Sequence, residues 1–482
     1  MIAPMNIEPF SWDRAEAVAG RFDGRFLICV KTTGIYCLPS CRVRPPKAEN
    51  VILLKTEAEA KAAGFRACKR CRPDLFYRGE DEDISLYEGL MARVRATPHE
   101  YPDVTALAQV CGVSQTKLGD LFRAHAHLTP AAWLRRARVQ AAAQLLLEGE
   151  EKVVDVGFGA GFESESVFHR QFLALTRMTP GAYRALKATS VWLLHLPPGY
   201  RAQEILAYHG RDPESPCERV EGKRLFKALL TPDGTVVLEI EFGTEGAWCR
   251  VHAAAKMGPQ SMAQLHHASL RMLGLLGDVT GFEARAIRDA RFAGIVARRR
   301  GLRVPLTANN FDALCWAIIG QQINVKFAAS LRREILNLAG EAAEGGMRTH
   351  PRPERVADLA PAFLAERRFS RSKAQYLIGA AREVAEGRLE IEGLTDSSAG
   401  AADKTLKAVH GIGTWTARYV MLRAGFADSA PVGDAALAAA LQRTYALDAR
   451  PSHEETERMM GAFSPHRSLA TAHLWTSLKE AA

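Results

Sequence analysis

Four cysteines within the first 75 residues constrain this chain most. They stand as Cys37-x3-Cys41 and Cys68-x2-Cys71, two close pairs separated by 26 residues. Two such pairs can close four thiolates around one tetrahedral zinc ion. A small metal-organised domain is therefore expected over residues 1–78. Basic residues crowd the same stretch: Arg42, Arg44, Arg66, Lys69, Arg70 and Arg72. A purely structural zinc clip has no need of them. A zinc-bound thiolate is a nucleophile, and arginine recruits phosphate. The pattern reads either as an inert clip or as thiolate chemistry on a nucleic-acid backbone.

The charge balance favours the second reading. The chain carries a net charge of +9 with a pI near 9.1, which suits a polyanionic partner, though it also suits a membrane surface. Its 482 residues, 47% hydrophobic, are enough for three or four domains with ordinary cores. Cys29, Cys111, Cys217, Cys249 and Cys315 stand singly, as reduced, buried thiols do, so a cytoplasmic protein is expected. The opening residues 1–14 lack the basic flank and apolar stretch of a signal peptide. No run reaches the roughly 18–20 apolar residues of a membrane span.

The texture changes along the chain. Short strand-like runs, Phe26–Val30 and Val51–Leu54, accompany the cysteines, and an acidic stretch over 79–83 reads as a linker or helix start. Residues 84–187 read as all-helical. Over 190–300, Val191–Leu196 and Thr235–Phe242 alternate as strands do, with a turn signal at Asp233-Gly234. Residues 301–482 are helical again and rich in Ala and Leu. The expectation is a multidomain α+β chain with four parts: a small zinc-bound α/β domain (1–78), an all-α segment (84–187), a small antiparallel sheet domain (190–300) and an all-α core (301–482).

A zinc-bound thiolate can attack an electrophilic methyl group. An ordinary phosphodiester repels such an anionic centre, whereas a methyl phosphotriester is neutral and can approach. Methylation removes one negative charge and so raises affinity for DNA. At this point the strings Thr32-Thr33-Gly34-Ile35-Tyr36-Cys37 through Arg44 and Gly64-Phe65-Arg66 through Pro73 resemble the methyl-phosphotriester repair domain of Ada-type regulators. The resemblance implies that Cys37 accepts the methyl. It implies that Cys41, Cys68 and Cys71 complete the zinc set, and that Thr33, Arg44 and Arg66 contact phosphate. Spacing alone does not single out the reactive cysteine.

In 84–187, Asp103 through Ser114 reads as helix, glycine turn and a new helix capped by Ser114. The second helix, Gln115–His125, should bury Leu118, Leu121 and Phe122 and expose Gln115, Thr116, Lys117 and Arg123. The layout recurs at 153–184, with a second such helix over Ser164–Phe172 carrying Arg170. The plain alternative is a generic helical bundle. The paired layout, each copy followed by Thr-Pro, resembles the AraC-type double helix-turn-helix, which implies recognition helices in the major groove of promoter DNA. Glu163 and Glu165 at the entry of the second recognition helix repel phosphate but can accept from cytosine amino groups. An activator of this kind implies RNA polymerase as a partner. Ser215-Pro216-Cys217-Glu218-Arg219 lacks the histidine that a second methyl-accepting cysteine would need and is read as coincidence.

The segment Leu406 through Ala417 contains Gly411-Ile412-Gly413, a tight hairpin between helices whose free N–H groups suit a phosphate. Asp434 follows Gly413 by 21 residues. It caps the next helix on the plain reading, and a fixed carboxylate there could also stabilise oxocarbenium charge at C1′. With Ile318-Ile319-Gly320-Gln321-Gln322 and His473-Leu474-Trp475, this resembles the helix-hairpin-helix glycosylases with a Gly/Pro-rich loop and Asp. Within them it is similar to AlkA-like 3-methyladenine DNA glycosylases, over about 190–480. That resemblance implies Asp434 as catalytic carboxylate and Trp415, Tyr419 and Trp475 as base-pocket aromatics, where core packing is the plain alternative. It also implies Gly411 and Gly413 as DNA contacts and Gln322 as the wedge that fills the gap left by a flipped base. The run Arg298-Arg299-Arg300 reads as a solvated basic face. The combined expectation is a transcriptional activator that takes a methyl from DNA, fused to an enzyme that excises alkylated purines. It acts on double-stranded DNA, with zinc as cofactor and no membrane. The alternative is a zinc-stabilised transcription factor whose second half only binds DNA; another makes the zinc domain a passive docking module.

Overall fold

The computed structural model describes residues 22–41, 43–78 and 82–478; Arg42, the opening residues and positions 79–81 of the acidic stretch lie outside the described residues. The chain forms two compact units, Met1–Tyr87 and Glu88–Ala482.

In the first unit, β1 (Leu27–Val30), β2 (Ile35–Cys37), β3 (Val51–Leu54) and β4 (Arg66–Ala67) form one sheet in the order β3-β1-β2-β4. β1 runs antiparallel to β2 and β3, while β2 pairs parallel with β4. Thr56 and Glu59 make a reciprocal capping box that starts helix Glu57–Ala62. Leu27, Cys29, Tyr36, Leu38, Leu54 and Ala60 fill a core of modest size. So small a core benefits from a metal staple.

Helix Glu82–Ala96 carries the chain into the second unit, and short helices follow. Val104–Val110 and Gln115–His125 meet at Gly112, whose φ of 64° is one that a side chain would strain. Ser114 Oγ accepts from Lys117 N (3.1 Å) and fixes where the second helix begins. Leu118, Leu121 and Phe122 are buried there. Thr129 and Thr179 cap Pro130–Glu148 and Pro180–Arg184 in the same way, each with proline in the first turn. The second copy places Val153–Gly159 before Glu165–Thr176. That helix runs four residues past Phe172 and stops only where Arg177 turns left-handed, at φ 61°.

Five strands follow: β5 (Val191–Leu194), β6 (Glu218–Glu221), β7 (Arg224–Thr231), β8 (Gly234–Phe242) and β9 (Ala247–His252), ordered β5-β9-β8-β7-β6 and antiparallel throughout. β5 ends two residues short of Leu196 because the His195 N–H donates to Arg177 O (2.8 Å) rather than to a strand. Side chains of both segments share one core: Val139, Phe168, Phe172, Trp192, Leu238 and Leu265 belong to a single apolar cluster. His266 stacks edge-on against Tyr183 (4.9 Å between centroids), and its Nε2 lies 2.8 Å from Thr176 O.

Helices Asn310–Gly320, Val325–Ala339, Arg371–Ala385, Ala399–Ala408 and Thr414–Ala424 pack into a second core. A third unites Phe282, Phe292, Leu437, Leu441, Phe463 and Leu474. Between the sheet and the helices lies a buried ionic cluster. Lys227, only 1% exposed on β7, donates to Glu218 (2.9 Å) and to Asp312 (3.2 Å), and Arg332 grips both oxygens of Asp312 (2.9 and 2.8 Å). Each charge is paired, which is the condition for tolerating it in the interior. Among the described residues, no helix is long and apolar enough to cross a membrane.

Candidate functional site

The sheet of the first unit assembles the cysteines. Parallel pairing of β2 with β4 places Tyr36 beside Ala67, and the Cys68 N–H donates to Tyr36 O (3.0 Å), so Cys37 and Cys68 leave neighbouring strand ends together. Each then enters a turn: Cys41 N donates to Leu38 O (3.1 Å) and Arg72 N to Cys68 O (2.9 Å). Asp23 holds the first turn by accepting from the backbone and hydroxyl of Ser40 (3.0 and 2.5 Å). The result is four Sγ atoms all within 4.8 Å of one another, on Cys37, Cys41, Cys68 and Cys71.

This donor set fits zinc. A tetrahedral ion with bonds of about 2.3 Å needs sulfurs about 3.8 Å apart, and among the described residues the group holds no carboxylate or imidazole. As thiols alone the sulfurs share protons unevenly. Hydrogen bonds with Cys41 and Cys71, then burial, push Cys37 far up, while bonds with Cys37 and Cys71 pull Cys41 down to about 2. A divalent cation removes that conflict by balancing all four. Two sulfurs also receive backbone N–H groups, Cys71 from Leu38 (3.4 Å) and Cys41 from Val43. Thr33, Arg44 and Arg66 are exposed, as are Lys69 and Arg70.

In the helix-turn-helix segment Gln115, Thr116, Lys117, Arg123 and Arg170 are exposed. Gln115 Nε2 donates to Thr105 Oγ1 (2.9 Å), and Arg123 pairs with Asp120 (2.6 Å). Cys217 is fully buried, its Sγ 3.7 Å from Ala228 O.

The second site grows from the hairpin. Gly411 adopts φ 88°, and a Cβ there would come within 2.2 Å of the Tyr376 ring, so only glycine fits. Ile412 plugs the core, and Gly413 begins helix Thr414–Ala424. Gln321 braces the turn, its Nε2 donating to Gly411 O (2.9 Å) and Thr416 Oγ1 (3.0 Å). Gln322 beside it is exposed and left-handed, at φ 58°. Lys373 holds this corner by donating to Ile319 O (2.8 Å) and Gln321 O (2.7 Å).

Asp434 caps helix Ala435–Tyr445 through Oδ1, which accepts from Leu437 N (2.8 Å). It does more. Oδ1 also accepts from Trp475 Nε1 (2.9 Å), and Oδ2 accepts from Trp415 Nε1 (3.3 Å). The structure thus brings Asp434, Trp415 and Trp475 together, with Tyr419 between the indoles at 5.5 and 6.1 Å. Sequence reasoning assigned the tryptophans to a base; the geometry adds that they aim the carboxylate. Four further residues crowd this corner: the Arg423 guanidinium lies over Tyr208 (4.4 Å), Tyr419 (5.4 Å) and Trp475 (5.5 Å), and that of Arg211 lies over Tyr208 (4.1 Å) and Trp316 (4.5 Å). Tyr208 and Arg211 come from helix Ala202–His209 and the turn after it, about 200 residues before the hairpin, and no local pattern announces them. His473 is buried in the third core and is held neutral, its pKa lowered to about 3 by burial.

Three family profiles match successive parts of the chain. Residues 11–74 match the metal binding domain of Ada, residues 107–186 a helix-turn-helix domain, and residues 315–465 the HhH-GPD superfamily of base excision DNA repair proteins. Over 95% of its length the chain is 28% identical to a probable bifunctional transcriptional activator/DNA repair enzyme AlkA of Mycobacterium tuberculosis, covering 94% of that protein. It is 33% identical to a DNA-3-methyladenine glycosylase of Bacillus subtilis, across 42% of this chain and 68% of that one. In fold it is similar to a 3-methyladenine DNA glycosylase from Archaeoglobus fulgidus, with a TM-score of 0.53 at 20% identity, across 59% of this chain and 97% of that one. The chain belongs to the AlkA-like 3-methyladenine DNA glycosylases of the helix-hairpin-helix superfamily, joined here to an Ada-type zinc-binding domain and an AraC-type helix-turn-helix.

Proposed function

We propose that this chain senses and repairs alkylated DNA in one polypeptide: a transcriptional activator switched by methyl transfer to Cys37, and a glycosylase that excises alkylated purines through Asp434. The observation that carries the reading is the tethering of both Asp434 oxygens by the indoles of Trp415 and Trp475, beside a glycine hairpin suited to a DNA phosphate. As a cap alone, Asp434 would need one oxygen.

In the glycosylase half, the flipped base stacks among Trp415, Tyr419 and Trp475 while Gln322 enters the duplex. The C1′–N bond breaks and its electron pair leaves with the base, which departs neutral because alkylation had made it cationic. Positive charge develops at C1′, and the fixed carboxylate of Asp434 lowers its energy in place. Water then bonds to C1′ and releases one proton to bulk solvent. The hairpin N–H groups and Gly413 hold the backbone during these steps.

In the sensor half, zinc when bound keeps the cysteines deprotonated at neutral pH. Exposed Thr33, Arg44 and Arg66 orient the phosphotriester. Cys37 sulfur bonds to the methyl carbon, the methyl–oxygen bond breaks, and its electron pair stays on the phosphate as an ordinary diester. Cys37 takes this role by its likeness to the methyl-accepting position of Ada-type domains, and Cys41 and Cys71 are set apart from it by the backbone N–H groups they receive. The site loses one negative charge, DNA affinity rises, and Lys117, Arg123 and Arg170 with Gln115 engage promoter DNA. RNA polymerase is the partner such an activator requires, and the compartment is the cytoplasm. The divisions 1–78, 84–187, 190–300 and 301–482 mark the functional parts.

Base release from methylated duplex tests the glycosylase reading. Asp434→Asn should abolish release of 3-methyladenine while circular dichroism stays unchanged; full activity in that variant would defeat it. Mass spectrometry after exposure to methylated DNA should find one added methyl on Cys37, and a methyl on a different cysteine would overturn that assignment.

A further inference from the structure

The helix-turn-helix segment is seated on the glycosylase core at two separate places, and both lead into its DNA-handling parts. The first seat lies under the hairpin. Glu88 Oε1 accepts from the backbone N–H of Ser398 (3.3 Å), and Arg95 Nη2 reaches Asp396 through its carboxylate (2.8 Å) and its carbonyl (3.3 Å). Ser398 is fully buried and caps helix Ala399–Ala408 by accepting from Ala401 N (3.1 Å). That helix leads directly into Gly411. Without Glu88, the N–H of Ser398 has no partner in a place water does not reach.

The second seat lies under the loop that ends at Asp434. His127, held left-handed at φ 55° just after helix Gln115–His125, lies with its Nε2 3.7 Å from Asp428 Oδ2. Asp428 is 2% exposed on its side chain and accepts from Ser464 Oγ (2.8 Å) and from the backbone, Nε and Nη2 of Arg467 (3.1, 2.9 and 3.0 Å). The next residue, Ser429, donates to Arg418 O (2.8 Å) on the hairpin's second helix. Asp428 is therefore the anchored foot of the segment that presents Asp434 six residues later.

We propose that Glu88, Arg95 and His127 are positioning residues for base excision: the regulator segment completes the support of the hairpin and of the Asp434 loop. The proposal rests on the reading of Asp434 as the catalytic carboxylate. None of the three lies on a recognition helix, so their part in excision is separable from promoter binding. Small displacements of a reacting group cost large factors in rate, so loss of both seats should slow the chemical step about tenfold.

The test is single-turnover release of 3-methyladenine from a methylated duplex by the full chain. Wild type is compared with Asp434→Asn, with Glu88→Ala/Arg95→Ala/His127→Ala, and with Arg95→Ala, Arg95→Lys, Asp396→Ala and the Arg95→Ala/Asp396→Ala pair. The triple variant should lose about tenfold in rate at saturating enzyme with duplex affinity within about twofold of wild type. Arg95→Lys should recover most of the Arg95→Ala loss, and the Arg95/Asp396 pair should lose no more than either single variant. A wild-type rate in the triple variant overturns the proposal. So does a loss carried wholly by duplex affinity. If the triple variant fails to fold, the Arg95 series alone decides by the same criteria. Full activity in Asp434→Asn would instead defeat the reading of the catalytic residue, whatever the other variants do.

Discussion

At the scale of single residues, Asp434 is fixed by the two indoles at unequal distances, 2.9 Å from Trp475 and 3.3 Å from Trp415. Hydrogen bonds to a charged acceptor contribute about 1.5–3 kcal/mol. Trp475→Phe keeps an apolar ring and removes only the shorter bond, so single-turnover base release should fall about ten- to a hundredfold. Trp415→Phe should cost less because its bond is longer. Measured rates in the opposite order would show that stacking, rather than aiming the carboxylate, dominates both side chains. That Asp434 caps a helix shortly after a glycine hairpin was readable in the chain, because Pro431, Gly433 and Asp434 follow Gly413 at a short fixed distance. Its tethering was not, since Trp475 lies 41 residues further on and meets Asp434 only when their helices pack, Leu437 and Leu474 entering the third core while Trp475 itself lies against the second. Tyr208, Arg211 and Arg423 escaped for the same reason: their shared corner is made by three distant segments, and none carries a local signature.

At the scale of elements, helix Gln115–His125 was legible to the residue, because Gly112 and Ser114 are physical punctuation, a left-handed turn and a cap. Helix Glu165–Thr176 was read too short, since nothing in Leu173–Thr176 marks a stop and the end is set by Arg177. The buried charges on β6 and β7 were also illegible: Glu218 and Lys227 satisfy each other and Asp312 only once the sheet meets the helices. The contact of helix Glu165–Thr176 with helix Pro259–Met272 turns on His266, which burial holds neutral, with a pKa lowered to about 4 although its hydrogen bond to Thr176 O acts the other way. The unfolded histidine titrates near 6.5. The unfolded chain therefore takes up a proton first, and stability present above about pH 6.5 is lost as pH falls toward about 4. His266→Gln removes the titrating group. The melting temperature of wild type should therefore drop relative to that variant between those two pH values, and parallel curves would refute the assignment.

At the scale of the whole molecule, two compact units carry separate cores, Leu27 to Ala60 in the first and three larger clusters in the second. The first depends on its metal, because its apolar core is small and four thiols within 4.8 Å conflict without a cation. Treatment with a strong zinc chelator should unfold the cysteine unit, seen as loss of strand signal and proteolysis confined to the first 87 residues, while base release proceeds at an unchanged rate. Loss of both together would show that the glycosylase relies on the metal. The switch from helical to strand-like texture within the second unit was legible from the alternation of its strands. The apolar cluster linking Val139 and Phe168 to Trp192 and Leu265 was not, since periodicity shows which face is buried and never against what. That cluster also sets an order of events during synthesis. Translation delivers roughly 5–20 residues per second, so the second DNA-reading helix leaves the ribosome several seconds before helix Pro259–Met272 arrives to cover it. Until then Phe168 and Phe172 stay short of their final partners, and the nascent regulator waits for the first third of the repair enzyme before it is whole.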